Sequence, residues 1–106
     1  MTNQENELRA QLKDTDQELA VKAAVKLCRE ILHPESRWEE SEMVLLGAVG
    51  LQSPSDGQII NLLLGQTYVQ MDEVPRAIRF FERAAESSDS EIKSQAENSL
   101  NELRRK

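Results

Sequence analysis

The sequence predicts an all-α protein, and the placement of its helix breakers is the first observation behind this prediction. Only 4 of the 106 residues are glycine and only 3 are proline. The prolines fall between or at the start of stretches with helical apolar spacing, where proline ends or opens a helix: Pro34, Pro54 and Pro75. No stretch alternates polar and apolar residues with the period of two that a strand needs, and the runs beside Asp56-Gly57 lack this alternation as well.

Three capping boxes are the second observation. In such a box a hydroxyl accepts a hydrogen bond from an unpaired backbone N–H, while a glutamate three residues later reaches back to the cap. The boxes begin at Thr15, Ser36 and Ser88. Together with the apolar periodicity they predict six helices, at residues 4–13, 16–33, 37–52, 57–71, 74–87 and 90–104.

The predicted helices differ in how much of their surface is apolar. The 16–33 helix confines its polar residues to one stripe, formed by Lys22, Lys26, Arg29 and Glu30. We therefore expect neighbours on several sides of it. The 37–52 helix has an acidic start and then an apolar run, which indicates similar burial. The 90–104 helix has only a narrow apolar face, so it should close one end of the stack; this face comprises Ile92, Ala96, Leu100 and Leu103.

Composition and charge exclude several functional classes. The chain carries 13 Lys and Arg against 19 Asp and Glu, a net charge of −6, so a nucleic-acid partner is not expected. No run approaches the about 20 apolar residues of a membrane span, so membrane insertion is not expected either. The start of the sequence lacks a secretory-signal pattern, and a single cysteine excludes an intramolecular disulfide. We expect one cytoplasmic domain covering residues 1–106.

Residues 58–91 carry a spaced motif of small, aromatic and aliphatic residues. The string is Asn61-x2-Leu64-Gly65-x2-Tyr68, followed by Ala77-x3-Phe81-x2-Ala84. It resembles the tetratricopeptide repeat, a two-helix unit of 34 residues with the pattern W-x2-L-G-x2-Y and A-x3-F. Asn61 stands at the Trp position of that pattern, and Asp89 stands at the closing Pro position. The small residues Gly65 and Ala77 should lie where the two helices approach closely.

The resemblance implies a short right-handed α-α superhelix of helical hairpins. One hairpin would cover residues 57–89, and residues 90–104 would form a capping helix. We interpret residues 16–52 as a degenerate hairpin of the same kind, whose small positions would fall on Met43, Gly47 and Gly50. A hairpin that is not a repeat and merely stacks on the 57–89 unit is the alternative.

The residues that could carry chemistry do not form a catalytic or metal-binding pattern. Cys28 and His33 are five positions apart on one predicted helix, which is about 140° around its axis, so they should not face each other. Cys28 lies among apolar residues and should behave as a small hydrophobe. With one His and one Cys, a transition-metal site is not expected. We therefore predict no catalytic residues, no metal and no cofactor.

The resemblance also implies a binding surface, because the first helix of each hairpin in this family lines a concave groove. By position, the 57–71 helix would present Ile59, Leu62, Gln66, Val69 and Gln70. These residues share one helical face, which is apolar and amide-bearing and has no positive charge. The Lys/Asn/Arg clamp of chaperone-binding members is absent. The alternative is that the apolar members of this face pack against the 16–33 or 37–52 helix.

The sequence therefore predicts a non-catalytic interaction or adaptor module that binds a protein or peptide partner in this groove. A preformed groove lowers the entropy that is lost when a partner docks. The alternative is a self-associating structural or assembly protein, a homo-oligomer in which another copy covers the groove or the 4–13 helix.

Overall fold

The computed structural model describes residues 3–49 and 57–105. All regular structure within these ranges is helical, and they contain no strand, so the predicted all-α class is confirmed. The six α-helices are α1 (Asn3–Gln11), α2 (Gln17–Leu27), α3 (Trp38–Val49), α4 (Gly57–Gln70), α5 (Val74–Ala84) and α6 (Ser90–Arg104). Helix α2 continues directly into a π-helical segment, Cys28–Leu32.

The predicted helix boundaries differ from the observed ones mainly at the C-terminal ends. The range 90–104 is the same in both, whereas α1 ends two residues early and α5 ends three residues early. The predicted end of the third helix at residue 52 lies outside the described residues, as do Gly50 and Pro54. The predicted 16–33 helix is not interrupted, but its last turn is π-helical rather than α-helical.

The residues that cap α2 and α6 are aspartates, not the predicted hydroxyl residues. The Oδ1 atom of Asp16 accepts hydrogen bonds from the backbone N–H groups of residues 18 and 19. Asp89 caps α6 in the same way. The assignments of Thr15 and Ser88 as caps were therefore wrong by one residue. A carboxylate at this position satisfies the unpaired donors and also interacts favourably with the positive end of the helix dipole.

Two helices end in a turn with a left-handed residue that is not glycine. After the π-helical segment, Ser36 has a φ of 57°, and the N–H of Arg37 donates to the carbonyl of Leu32 at 2.8 Å. After α4, Asp72 has a φ of 60°, with an equivalent bond from the N–H of Glu73. Both turns have the hydrogen-bond pattern of a Schellman motif. Ser36 therefore terminates one helix and does not cap α3, which begins at Trp38.

Helices α2, α4 and α6 run in the same direction and pack side by side. His33 follows the π-helical continuation of α2 and lies 3.0 Å from Thr67 near the end of α4; the two residues are 34 positions apart. The N-terminal parts of α4 and α6 meet where Ile59 lies beside Ile92, and their C-terminal parts meet where Gln66 lies beside Ser99. The intervening helices α1, α3 and α5 form a second layer, in which ion pairs join α1 to the start of α3 and α3 to α5.

One apolar cluster, with members from all six helices, joins the two layers. The α4–α5 hairpin is its tightest part: a Cβ atom built on Gly65 would lie 2.6 Å from Cε1 of Phe81. The close approach predicted at Gly65 is therefore confirmed, and Ala77 is fully buried nearby. Three of the four residues expected on the buried face of α6 are buried, and Leu103 is half-buried.

Candidate functional site

The five predicted site residues all line one surface, the junction of α4 with α6. Two depressions follow each other along this junction. The N-terminal depression has a volume of about 210 Å³ and is lined by Arg29, Ile59, Leu62, Asp89, Glu91, Ile92 and Gln95. The C-terminal depression has a volume of about 250 Å³ and is lined by Gln66, Val69, Gln70, Phe81, Ser99, Glu102 and Leu103. We refer to both depressions together as the α4–α6 groove.

The predicted site residues are not equally accessible. Leu62 is only 3% exposed and belongs to the apolar core. Ile59, Gln66 and Val69 are half-buried, and Gln70 is exposed. The two half-buried apolar residues pack on the core with one side and face a depression with the other. The floor of the groove is thus an extension of the core, with amide groups where α4 nears its end.

A positive charge lies next to this surface, although the α4 face itself carries none. Arg29, from the π-helical segment, lines the N-terminal depression beside Leu62, and Asp89 and Glu91 line it from α6. Sequence analysis placed Arg29 in the polar stripe of its own helix but did not connect it with α4. The 34-residue offset between the two parallel helices could have shown that position 29 lies close to position 62.

The prediction that Cys28 and His33 do not face each other rests on α-helical geometry, and that premise is wrong for this turn. In the π-helical segment the N–H of His33 donates to the carbonyl of Cys28 five residues earlier, so residues five apart stack on one face. Both side chains contact the Ser41 hydroxyl of α3: His33 Nε2 at 3.0 Å and Cys28 Sγ at 3.5 Å. The α-helical angle of about 140° does not apply to this turn.

A buried polar cluster forms where α2, α3 and α4 meet. Ser41 and Thr67 are fully buried, and their hydroxyl oxygens lie 3.2 Å apart. The Thr67 hydroxyl donates to the carbonyl of Leu63, so its oxygen accepts from Nε2–H of His33. We therefore assign the ring proton to Nε2. The sequence pattern did not single out these two residues, because Thr67 occupies an unspecified position of the Leu64-Gly65-x2-Tyr68 string and Ser41 belongs to no motif.

The protonation of this cluster follows from its burial. Desolvation lowers the pKa of His33 below its usual value, so the ring is neutral at neutral pH. Burial also raises the pKa of the Cys28 thiol to about 11. With its proton on Nε2, the His33 ring cannot accept the Ser41 proton at that atom. These groups therefore join three helices by hydrogen bonds and do not form an activated nucleophile.

An ion-pair cluster holds α1 against the start of α3. Both carboxylate oxygens of the buried Glu5 accept from Arg37, at 2.8 and 3.0 Å. Nε of Arg9 donates to the same carboxylate at 3.0 Å, and Arg37 also pairs with Glu40. The hydrogen bonds from Arg37 hold the pKa of Glu5 at about 2. Sequence analysis did not identify this contact, which links residues 32 positions apart.

A second apolar surface lies on the layer opposite the groove. We call Met43, Leu46 and Val49 the α3 patch; they are 74%, 43% and 38% exposed. Beside this patch is a depression of about 500 Å³, lined by Arg9, Leu12, Ala20, Glu40, Met43, Val44, Gly47 and Ala48. Its lining is mostly apolar, with a single Arg and a single Glu.

The described residues contain neither a metal-binding cluster nor a membrane-spanning helix. Within residues 3–49 and 57–105, no group of three or more His, Cys, Asp or Glu side chains is arranged to hold a metal ion. No helix in the described part of the chain has the length and apolar character to cross a bilayer.

No protein-family model matches the sequence, and comparisons with curated proteins and with solved structures also give no match.

Proposed function

We propose that this chain is a non-catalytic interaction module that binds a segment of another protein in the α4–α6 groove. The observation that carries the proposal is the arrangement of the α4 face, whose residues line two consecutive depressions. Leu62 and Val69 are seven residues apart, which is about 10 Å along the helix. A partner helix with apolar side chains at the same spacing could place one in each depression.

We also propose that the architecture is a short superhelix of tetratricopeptide-like hairpins. The parallel α2, α4 and α6, with the 34-residue offset between His33 and Thr67, support this reading. The close packing of Gly65 on Phe81 supports it as well. In this arrangement the layer of α2, α4 and α6 would be the concave one. A cytoplasmic location is part of the proposal, and the free thiol of Cys28 is in keeping with it.

Docking on this surface would gain affinity mainly from the apolar floor. Half-buried Ile59 and Val69 would lose their remaining contact with water when a partner covers them. Gln66 and Gln70 can both donate and accept hydrogen bonds, so they could pair with polar groups at the edge of the partner. The groove is formed by helices that pack on the core, so little ordering of this chain would accompany binding.

Selection of peptides from a displayed library tests the proposal. Selected peptides should bind the native chain and bind Gln70→Glu about tenfold or more weakly, because the new carboxylate would be desolvated beneath the partner. Gln11→Glu, an identical change at an exposed residue of α1, is the matched control and should bind normally. Fluorescence anisotropy measures both affinities. Equal binding to native chain and Gln70→Glu would refute the groove as the site.

We propose self-association through the α3 patch as a second function, because exposed apolar residues are concentrated there. A protruding Met43 and an apolar depression lie on the same surface, so two copies related by a two-fold axis could each insert Met43 into the depression of the other. Gly47 has no other atom within 4 Å of a Cβ position, which leaves room for a second helix.

Sedimentation velocity over a hundredfold range of concentration tests this second proposal. The native chain should dimerise as its concentration rises, and Met43→Lys should remain monomeric. Glu7→Lys, a charge change at an exposed position of α1, is the control for altered net charge. A native chain that stays monomeric at every concentration would contradict self-association.

A further inference from the structure

Arg29 lines the N-terminal depression of the α4–α6 groove, and it is the last residue of a row of positive charges on the neighbouring helix. Lys22, Lys26 and Arg29 recur at i, i+4 and i+7 and form one exposed face of α2 and the π-helical segment. Lys22 lies 3.7 Å from Glu18. Neither Lys26 nor Arg29 forms an ion pair with any residue in 3–49 or 57–105. The chain as a whole has a net charge of −6, so this row is a local concentration of positive charge on an acidic protein.

The opposite border of the groove is acidic. On α6, Glu91 and Gln95 line the N-terminal depression, and Ser99 and Glu102 line the C-terminal one. Asp89, at the start of the same helix, adds a second carboxylate to the N-terminal depression. Helix α6 thus contributes acidic, neutral polar and apolar side chains to the two depressions, and it contributes no Lys or Arg.

The floor between these borders is neutral. It consists of the apolar and amide side chains of α4, from Ile59 to Gln70. A partner in the N-terminal depression therefore meets the positive charge of Arg29 at one edge, an apolar floor, and the carboxylates of Asp89 and Glu91 at the other edge. In the C-terminal depression, Glu102 continues the acidic edge. A partner with charges of one sign on both edges would be attracted by one border and repelled by the other.

We infer that the partner is an amphipathic helical segment with acidic side chains on the edge that meets Arg29, a basic edge facing α6 and an apolar stripe facing α4. This inference rests on the proposed function and adds the chemistry of the partner to it. Reversing the direction of such a helix in the groove exchanges its two edges. The opposed borders therefore also select one direction of docking, which an apolar floor alone would not do.

Synthetic helical peptides test the inference directly. Four fluorescent peptides of equal length are compared. Three carry apolar residues at i, i+3 and i+7 and differ only in their edges: Glu on one edge and Lys on the other, Glu on both edges, or Lys on both edges. The fourth has the mixed edges but serine in place of the apolar stripe. Fluorescence anisotropy gives the Kd of each peptide for the full chain at low salt.

The mixed-edge peptide should bind at least about tenfold more tightly than either peptide of uniform charge, and the serine peptide should not bind measurably. The preference should shrink as ionic strength rises, because exposed charges are screened beyond about 10 Å at 0.1 M salt. Equal or tighter binding of a uniformly charged peptide would overturn the inference and leave the groove proposal intact. No binding by any peptide would overturn both.

Charge reversal on each border provides an independent test. Lys26→Glu with Arg29→Glu should shift the preference to the peptide with Lys on both edges. Glu91→Lys with Glu102→Lys should shift it to the peptide with Glu on both edges. All four residues are exposed, so circular dichroism should show native helicity. Arg79→Glu on α5 is the control. Unchanged preferences in both reversed variants would overturn the inference.

Discussion

The aromatic ring of Phe81 occupies the space that a side chain at position 65 would need. Three ring atoms of Phe81 lie within 2.8 Å of the position of a Cβ on Gly65, and the ring itself is almost fully buried. This contact fixes the separation of α4 and α5. A Cβ at this position would therefore force the Phe81 ring or one of the two helices to shift.

We predict that Gly65→Ala lowers the free energy of unfolding by about 1–3 kcal/mol, because the buried ring has to move. The larger Gly65→Leu should cost at least as much. Gly47→Ala is the matched control: nothing lies within 4 Å of its Cβ position, and α3 should gain about 0.5–1 kcal/mol from the better helix former. Urea denaturation measures both variants. Similar stability changes for the two alanines would contradict the contact.

The left-handed turn at Ser36 leads to a stabilising substitution. A non-glycine residue with a φ of 57° carries a steric cost, so Ser36→Gly should raise the unfolding free energy by about 1 kcal/mol. Ser88→Gly, at an exposed position without a positive φ, should change stability by less than about 0.5 kcal/mol. Thermal melts of the two variants test the difference. A lower melting temperature for Ser36→Gly would contradict the assigned turn.

Because Glu5 is paired with two arginines, the free energy of unfolding should fall as the pH becomes acidic. The pKa of Glu5 is about 2 in the folded chain, below the ordinary value of 4.5, because Arg37 and Arg9 stabilise the carboxylate. Because the folded-state pKa is the lower one, the contribution of Glu5 is complete above pH 4.5 and is lost as the pH falls toward about 2. Glu5→Gln should therefore be less stable than the native chain at neutral pH, and the gap should close over this interval. A pH-independent gap would contradict the pairing.

His33 adds a second pH dependence, at higher pH. Its folded-state pKa is lowered by burial, so the unfolded chain binds the proton more readily. The stability contributed by the neutral ring is complete above the usual pKa of 6.5 and declines as the pH falls below it. His33→Gln keeps an N–H donor but does not titrate, so its stability should show no such decline near pH 6.5. Parallel stability curves for the two proteins would count against the buried cluster.

Much of the fold follows from spacing that is visible in the sequence. Apolar periodicity and helix breakers predicted all six helices, and Gly65 predicted the close approach within the α4–α5 hairpin. The π-helical turn did not follow, because the i→i+5 bond of His33 depends on how three helices meet at Ser41 and Thr67. The cap predictions failed for a simpler reason: Thr15 and Ser88 each precede an aspartate that can also cap the helix and whose charge favours the helix dipole.

The site residues on α4 could be predicted from the sequence, but the residues that other helices contribute could not. The positions from Ile59 to Gln70 share a face because of helical geometry alone. The proximity of Arg29 depends on the rotation of α2 about its axis and on its offset from α4; the pattern within each helix does not encode these, and only the 34-residue spacing between the helices points to them. The same applies to Glu5 and Arg37, whose pairing requires the relative placement of α1 and α3.

Side-by-side packing of parallel helices also has a kinetic consequence. Each helix packs mainly on neighbours that are close in sequence, and α6 packs chiefly on α4 and α5. Contacts of this local kind favour rapid folding, and an array held by nearest neighbours opens most readily from its ends. Amide hydrogen exchange should therefore be slowest in α4, which is flanked by α2, α3, α5 and α6, and faster in α1 and α6. The chain would thus lose its outer helices before the helix that forms the floor of its groove.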